Sequence, residues 1–555
     1  MNARGGLAVT PEPRVNPLRE ESVTLKAADP CTFVVFGATG DLTHRKLIPA
    51  LFRLSKQKLL HPRTAIVGFA RRELTSEAFR EDMRRTVMGA GSAGAAAPGS
   101  AGAAAPGSPG GAGGTAAAAA AGGTASTPEW ERFAGSLFYH RGVFEDHEAF
   151  RALGRLLGDI EEERGIPGNR IFYFATPPSE YEALIRNIGA AGLARRALRD
   201  ERTAPWSRVI IEKPFGHDLH SARELNALVH TVFAERQIYR IDHYLGKETV
   251  QNILVFRLGN GIFEPLWNNR YVEQVQITVA ESVGVEGRAA YFDSAGISRD
   301  IFQNHMMQLL TLTAMEPPAR FEADSVRDEK AKVLRTLHPM TPEEVARETV
   351  RGQYVAGPVG GAPVPGYRQE PGVNPRSQTE TYLAARIQVD NWRWSGVPFF
   401  LRTGKRLAKR ATEIAIVFRQ PPYALFRSAG CESLEHNILR LRIQPDEGIS
   451  LSFGSKSPGQ SLHIDPVQMD FFYLTSFGQD PPDAYERLLL DCNLGDSTLF
   501  ARRDEVELAW EFVDGILNAW RSGHGPPLVT YPAGTWGPAE ADELVHRSSY
   551  HWYRL

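Results

Sequence analysis

Short apolar runs separated by amphipathic stretches open the folded part of the chain. Thr32-Phe-Val-Val-Phe36 is apolar without interruption, the pattern of a strand buried on both faces. Leu47 to Leu60 carries helical spacing, and Thr64-Ala-Ile-Val-Gly68 predicts a second strand. Further strands are expected at Arg170-Ile-Phe-Tyr-Phe-Ala175, closed by Thr176-Pro-Pro178, and at Arg208-Val-Ile-Ile-Glu212, closed by Lys213-Pro214. Strands alternating with helices predict a parallel sheet of Rossmann type. The rhythm changes after about residue 215. Helix-like segments at 219–235 and 299–315 mix with longer alternating strands at 272–280, 411–418 and 438–453, and two late helices are expected at 483–491 and 504–520. That half predicts a larger α+β domain built on an antiparallel sheet.

Length and composition narrow this picture. At 555 residues the chain is too long for one hydrophobic core, so two domains are expected, at 30–215 and 216–555. Residues 1–29 are polar and contain prolines, which predicts a loose tail. Residues 89–128 contain only Gly, Ala, Ser, Pro and Thr, too little apolar surface to order itself, so a flexible surface loop is expected. With 63 basic against 65 acidic residues the formal net charge is -2, which gives no global pull toward nucleic acid or membrane. No apolar run approaches the roughly 20 residues of a membrane helix. The N-terminus has no apolar segment of a secretory signal. Cys31, Cys431 and Cys492 are odd in number and far apart, so they read as thiols of a reducing compartment and predict a cytoplasmic protein. Cysteine and histidine spacings offer no metal cage, so no metal is expected.

Candidate chemistry begins at Phe36-Gly-Ala-Thr-Gly-Asp-Leu42, between the first strand and the first helix. Glycines there let a backbone approach a pyrophosphate, and the helix start supplies N–H donors. The spacing is GxxGDL, not GxGxxG, so a plain strand-to-helix turn remains open. The second strand ends in Gly68-Phe-Ala-Arg-Arg72. An acid at that place would hold ribose hydroxyls, whereas Arg71 suits a 2′-phosphate and points to NADP; Glu73 nearby keeps NAD open. Lys213, in Glu212-Lys-Pro-Phe-Gly216, sits at a strand's C-terminal edge, where doubly wound folds bind ligands.

Two dense strings follow. Arg240-Ile-Asp-His-Tyr-Leu-Gly-Lys-Glu248 crowds a carboxylate, an imidazole, a phenol and an ammonium group, donors that can converge on a phosphoryl group. Arg299-Asp-Ile-Phe-Gln-Asn-His305 comes about sixty residues later. Oxidation of a sugar's anomeric hydroxyl needs a base, and histidine beside a carboxylate is suited to it; His243 and His305 both neighbour acids. On an α-helix the five residues from Asp300 to His305 turn through about 500°, or about 140° around the axis, so Asp300 is not expected to orient that histidine.

RIDHYLGKE followed by RDxxxNH resembles the glucose-6-phosphate dehydrogenase family, and GATGDLTHRKL resembles that family's opening fingerprint. The resemblance runs from about Cys31 to about Leu544, apart from the low-complexity insert. It implies an N-terminal Rossmann-type dinucleotide-binding domain and oxidation of glucose 6-phosphate with hydride transfer to NADP, some members also accepting NAD. It implies that Gly37, Thr39, Gly40, Asp41, Leu42 and Arg71 border the cofactor, with Gly142 and Val143 at the next strand end. Lys213 would lie between cofactor and sugar, and the peptide before Pro214 would be cis. His305 would be the base, with Asp242 as its partner. His243, Tyr244 and Lys247 would hold the 6-phosphate. Glu281, in Ala280-Glu-Ser-Val-Gly-Val-Glu-Gly-Arg288, and Asp300 would accept bonds from sugar hydroxyls. Lys405, after Val397-Pro-Phe-Phe-Leu-Arg-Thr-Gly404, would contact substrate, with Arg410 as a second candidate. A homodimer or homotetramer is implied, through the antiparallel sheet. Two departures stand out. Ala289-Ala290 replaces a glycine pair and removes easy access to positive φ, which puts the local loop shape in doubt. Ala411 stands where a lysine of a second, structural NADP site is expected, so that site is expected to be absent. Two other readings remain: a dehydrogenase of another phosphorylated sugar, and a catalytically dead nucleotide sensor, against which the presence of both Asp242 and His305 argues.

Overall fold

The computed structural model describes residues 28–93, 127–196, 205–423, 425–426, 434–459, 462–478, 482–553 and 555. The expected tail up to residue 27, most of the insert (94–126) and Cys431 lie outside the described residues. Both ends of the insert are helical, contrary to expectation. The helix Ser76–Ala93 runs through residues 89–93, and the helix Thr127–Ala134 begins at the insert's far end.

Six strands form a parallel sheet: β1 (Thr32–Phe36), β2 (Ala65–Ala70), β3 (Leu137–Arg141), β4 (Arg170–Phe174), β5 (Ser207–Ile211) and β6 (Ile238–Arg240). Their order is β3-β2-β1-β4-β5-β6, and every pairing is parallel. The sixth strand lies beyond residue 215. β1, β2 and β5 are buried along their whole length, as their unbroken apolar runs require. The order reverses between β1 and β4, and the crevice at the carboxyl ends of these strands is where such sheets take ligands.

The second sheet has nine strands: β7 (Val272–Ala280), β8 (Thr349–Val355), β11 (Tyr382–Ile387), β12 (Phe399–Gly404), β13 (Ala411–Phe418), β14 (Ile438–Gln444), β15 (Gly448–Lys456), β16 (Ile464–Phe472) and β17 (Leu528–Pro532). A small hairpin of β9 (Gly357–Val359) and β10 (Ala362–Val364) stands apart. The large sheet is mixed: β12 pairs parallel with β7, and β17 with β8, while the other pairings are antiparallel. The single strand expected at 438–453 is a hairpin, β14 and β15, turning at residues 445–447. The late helices appear at Ala484–Leu494 and Arg503–Arg521.

One crossing matters for the site. The helix Ala484–Leu494 returns from the C-terminal half to pack Leu488, Leu489 and Cys492 on the first sheet's own core, beside Leu51 and Leu54. Lys46 pairs with Asp483 at 2.8 Å and Arg53 with Glu486 at 2.5 Å across the same contact. The helical segment after β1 and the second domain are thereby held against each other. Cys31 and Cys492 are both buried. Among the described residues, no helix is long and apolar enough to cross a membrane.

Candidate active site

The turn after β1 carries Gly37 at φ +81, with Ala175 O only 2.4 Å from where a Cβ would stand. That turn therefore requires glycine, and it brings bare backbone to the crevice at the point of strand reversal. Thr39 and Gly40 continue the turn, and Asp41 forms an ion pair with Arg45 at 2.8 Å. Arg71 is exposed just past β2. β3 ends at Arg141, so Gly142 and Val143 begin the next loop, and Arg141 draws Glu73 to 3.1 Å.

A cavity of about 810 Å³ opens beside this turn. Asp41, Leu42 and Lys213 line it from the first domain. His243, Tyr244, Lys247, Glu281, Asp300, His305, Lys405 and Arg410 line the rest. Residues far apart in the chain thus meet at one place, while Arg71, Gly142 and Val143 are not among its lining residues.

At its centre His305 Nδ1 lies 2.5 Å from Asp242 Oδ1. Lys213 Nζ donates to His305 Nε2 and to the Asp300 carbonyl, each at 2.8 Å. An ammonium donates only, so Nε2 must offer its lone pair, and the ring proton belongs on Nδ1, facing the carboxylate. This is the tautomer a general base acting through Nε2 requires. Burial lowers the His305 pKa; Asp242 raises it, Lys213 lowers it, and the net lies below the ordinary imidazole value. Burial also opposes charge on Asp242, but the neighbouring His305 outweighs it and holds this carboxyl well below the usual range. Asp242 Oδ1 takes a further bond from Tyr244 N at 2.9 Å. The Tyr244 ring stacks on the His305 ring, with centroids 4.2 Å apart. Imidazole and carboxylate are therefore held from three sides.

The winding of the segment departs from expectation. Ser298–Met306 is a π-helix, not an α-helix. Bonds in a π-helix run from i to i+5, so residues five apart lie about one turn apart on the same face. Asp300 and His305 consequently both reach the cavity, and Lys213 bridges them. Asp242, not Asp300, faces His305 Nδ1, and the angular argument for setting Asp300 apart does not apply to this winding. Asn304 was given no role from sequence. Its Nδ2 donates to the Arg299 carbonyl at 3.0 Å and its Oδ1 accepts from His305 N at 2.6 Å, bonds that favour the wide winding.

Lys405 Nζ donates to Glu281 Oε2 at 2.6 Å and stands 3.5 Å from Asp300 Oδ2. Burial lowers the Lys405 pKa, but Glu281 and Asp300 raise it beyond that, so the ammonium stays charged. At the other end, Lys247 Nζ and Arg410 both reach Gln444 Oε1, at 2.5 and 3.1 Å. Burial first, then Arg410, lower the Lys247 pKa to about 8. Burial keeps His243 far below the ordinary imidazole value, hence neutral at neutral pH. The Tyr244 hydroxyl faces Thr412 at 3.3 Å. Gln444 was not singled out from sequence; it follows a lone strand pattern and no motif marks it.

Asp242, His243 and His305 also bring three ligand-capable atoms within 4.8 Å of one another, which their spacing along the chain did not suggest. The Lys213 ammonium against His305 works against a dication there. The peptide Lys213–Pro214 is cis. Ala289, at φ −52, starts the helix Ala289–Ile297, so replacement of glycine by alanine needs no positive φ at that point.

Comparison with known proteins identifies relatives over nearly the whole chain. A family model described as the NAD binding domain of glucose-6-phosphate dehydrogenase matches residues 34–102 and 112–252, its gap falling in the low-complexity insert. A second, described as the C-terminal domain of glucose-6-phosphate dehydrogenase, matches 254–553. A glucose-6-phosphate 1-dehydrogenase of Chlamydia pneumoniae is 43% identical over 532 residues, covering 96% of this chain and 97% of its own. Glucose-6-phosphate 1-dehydrogenase 2 of Mycobacterium tuberculosis is 44% identical over 541 residues, covering 97% and 98%. A solved glucose-6-phosphate dehydrogenase in complex with its substrate glucose-6-phosphate superposes with a TM-score of 0.80 at 33% identity, covering 95% of this chain and 100% of that one. The glucose-6-phosphate 1-dehydrogenase of Mycobacterium avium gives a TM-score of 0.75 at 32% identity, covering 95% and 99%.

Proposed function

The chain belongs to the glucose-6-phosphate dehydrogenase family, and from that premise we propose that it oxidises glucose 6-phosphate to 6-phosphoglucono-1,5-lactone, with NADP as the hydride acceptor. This is the entry reaction of the oxidative pentose phosphate route. The observation that carries the reading is the buried Asp242–His305–Lys213 chain in a cavity whose far end holds Lys247 and Arg410. A phosphate held at the basic end leaves the sugar ring between Asp300, Glu281 and the His305 Nε2 lone pair.

The proposed roles follow from that layout. His305 Nε2 takes the proton of the anomeric hydroxyl, which displaces the Lys213 ammonium from that lone pair. Asp242 stabilises the imidazolium as it forms and fixes the tautomer. As the proton leaves, the C–H bond at the anomeric carbon breaks with its electron pair. Bound NADP supplies the acceptor for that hydride. Lys213, released from Nε2 but anchored on the Asp300 carbonyl, stands between sugar and cofactor crevice. Lys405 and Glu281 orient ring hydroxyls, and Lys247, Arg410, His243 and Tyr244 face the phosphate. The turn Gly37–Leu42 fits a pyrophosphate, since its backbone is uncovered where a Cβ cannot stand. Arg71 supports a 2′-phosphate, the more so as Glu73 is turned toward Arg141.

The exposed outer face of β16, including Val467 and Met469, supports a homodimer or homotetramer through the second sheet. The buried cysteines Cys31 and Cys492 fit a reducing cytoplasm. The test is absorbance of reduced nicotinamide with glucose 6-phosphate and NADP or NAD in parallel. Growth with NADP alone supports reaction and cofactor together; growth with both weakens the Arg71 argument. Folded protein that gives neither would shift the assignment to another phosphorylated sugar.

A further inference from the structure

Glu380 is a buried acid, 8% exposed, that does not line the cavity. A buried carboxylate is costly unless donors satisfy it. Its donors are found at the start of the π-helix. Glu380 Oε1 accepts from Ser298 N at 3.1 Å and from Ser298 Oγ at 2.5 Å, and its backbone carbonyl accepts from Ile297 N at 3.0 Å. Helix starts leave N–H groups unpaired and favour a negative charge beside them. Gly296 stands directly against this carboxylate: a Cβ there would lie 2.2 Å from Glu380 Oε1, and its φ is +67. The helix before it breaks at Gly296, and the π-helix begins two residues on. The residues flanking Glu380 are tied into the same site. Thr379 Oγ1 donates to the Asp293 carbonyl at 2.7 Å, and the Thr381 carbonyl accepts from Lys405 N at 2.9 Å.

We infer that Glu380 is a positioning residue for the proposed reaction: its carboxylate pins the first turn of the π-helix and so sets where Asp300 and His305 stand. This rests on the general-base reading of His305. Burial pushes the Glu380 carboxyl up while the Ser298 donors pull it down, with the net above the ordinary value. Both Ser298 donors fall on the one oxygen Oε1, so a neutral acceptor of the same shape should serve at this position.

Glu380→Ala and Glu380→Gln test the inference in the full-length enzyme, with kcat on glucose 6-phosphate, KM for NADP and hydrogen exchange over residues 298–306 as readouts. The alanine variant should lose on the order of tenfold to a hundredfold in kcat, the scale of a misplaced catalytic group, and leave KM for NADP within about twofold. Exchange should quicken within the π-helix, and glutamine, which keeps Oε1, should restore most of the rate. A purely structural role would lower the melting temperature without this pattern. A folded alanine variant with native kcat and native exchange overturns the inference, as does a glutamine variant as slow as alanine. Should the alanine variant not fold, Ser298→Ala removes one of the two donors; an unchanged kcat there has the same consequence. If wild-type protein fails to turn over glucose 6-phosphate, the function reading fails, while exchange still reports on the pinned helix.

Discussion

Asp242→Asn is the sharpest test of the chemistry, because it changes one charge and almost no volume. In the native site the carboxylate stands 2.5 Å from His305 Nδ1, both groups buried. With charge centres about 4 Å apart and an effective dielectric of about 20, carboxylate and imidazolium attract by about 4 kcal/mol. If the transition state carries most of that positive charge, the loss corresponds to roughly a thousandfold in rate. The sign of the pH effect follows from the same pair. Asp242 raises the His305 pKa against burial, so its removal lowers that pKa further. The base works unprotonated, so the acid limb of kcat/KM should move to lower pH while the plateau falls. Initial rates of nicotinamide reduction from pH 5 upward measure both, and the Tyr244 N–H keeps an oxygen acceptor, so folding should survive. A variant within about tenfold of native on the plateau, or an acid limb moved upward, would refute the base assignment.

Four further outcomes are expected. The Lys247 ammonium, with its pKa lowered to about 8, loses charge as pH rises through that value, so KM for glucose 6-phosphate should climb above pH 8 while kcat holds. Lys247→Ala should raise that KM far more than it changes oxidation of free glucose; equal effects would remove Lys247 from the phosphate. Arg71→Ala should weaken NADP by on the order of tenfold or more and leave NAD nearly unchanged, the signature of a lost 2′-phosphate contact in parallel kinetics. Calorimetric titration should find one NADP per chain. The hollow beside Ala411 measures only about 220 Å³, small for a dinucleotide; a second stoichiometric site would sink this.

The first sheet was legible because buried parallel strands are continuous apolar runs: β1, β2, β4 and β5 each fall within a residue or two of the expected segments. β6 was not, since three residues, Ile238–Arg240, carry no period, and the adjacent motif took the attention. β14 and β15 were read as one strand because the alternation runs through their turn, where Pro445 is the single breaker. Nothing local announces that the helix Ala484–Leu494 crosses back to the first sheet. Its apolar face fits either domain, and the pairs Lys46–Asp483 and Arg53–Glu486, with the Arg208 bonds to the Cys492 and Asn493 carbonyls, mark the choice.

The site was legible as a set of residue types but not as a geometry. Asp242, Asp300 and His305 were nameable because they sit in two dense strings, Lys213 because it ends a strand, and Lys405 through the family resemblance. Their contacts depend on a helix winding that spacing alone cannot supply. An α-helix with the same sequence would turn Asp300 away from His305 by about 140°, and one side chain could not bond both positions. The π-helix adds about one residue per turn and closes that angle. Such winding is rare and needs local support, which the chain provides at both ends. Asn304 satisfies the Arg299 carbonyl, Lys213 satisfies that of Asp300, and Glu380 holds the Ser298 N–H. Two of these three residues, Asn304 and Glu380, carry no chemistry of their own in the proposed reaction, and sequence reasoning that searches for chemistry passes them over. The same logic extends to Lys213, whose ammonium sits on His305 Nε2. With the carboxylate on one side of the imidazole and an ammonium on the other, the tautomer and ring orientation are set before any sugar arrives, and the arriving hydroxyl has only to take the place of a single donor.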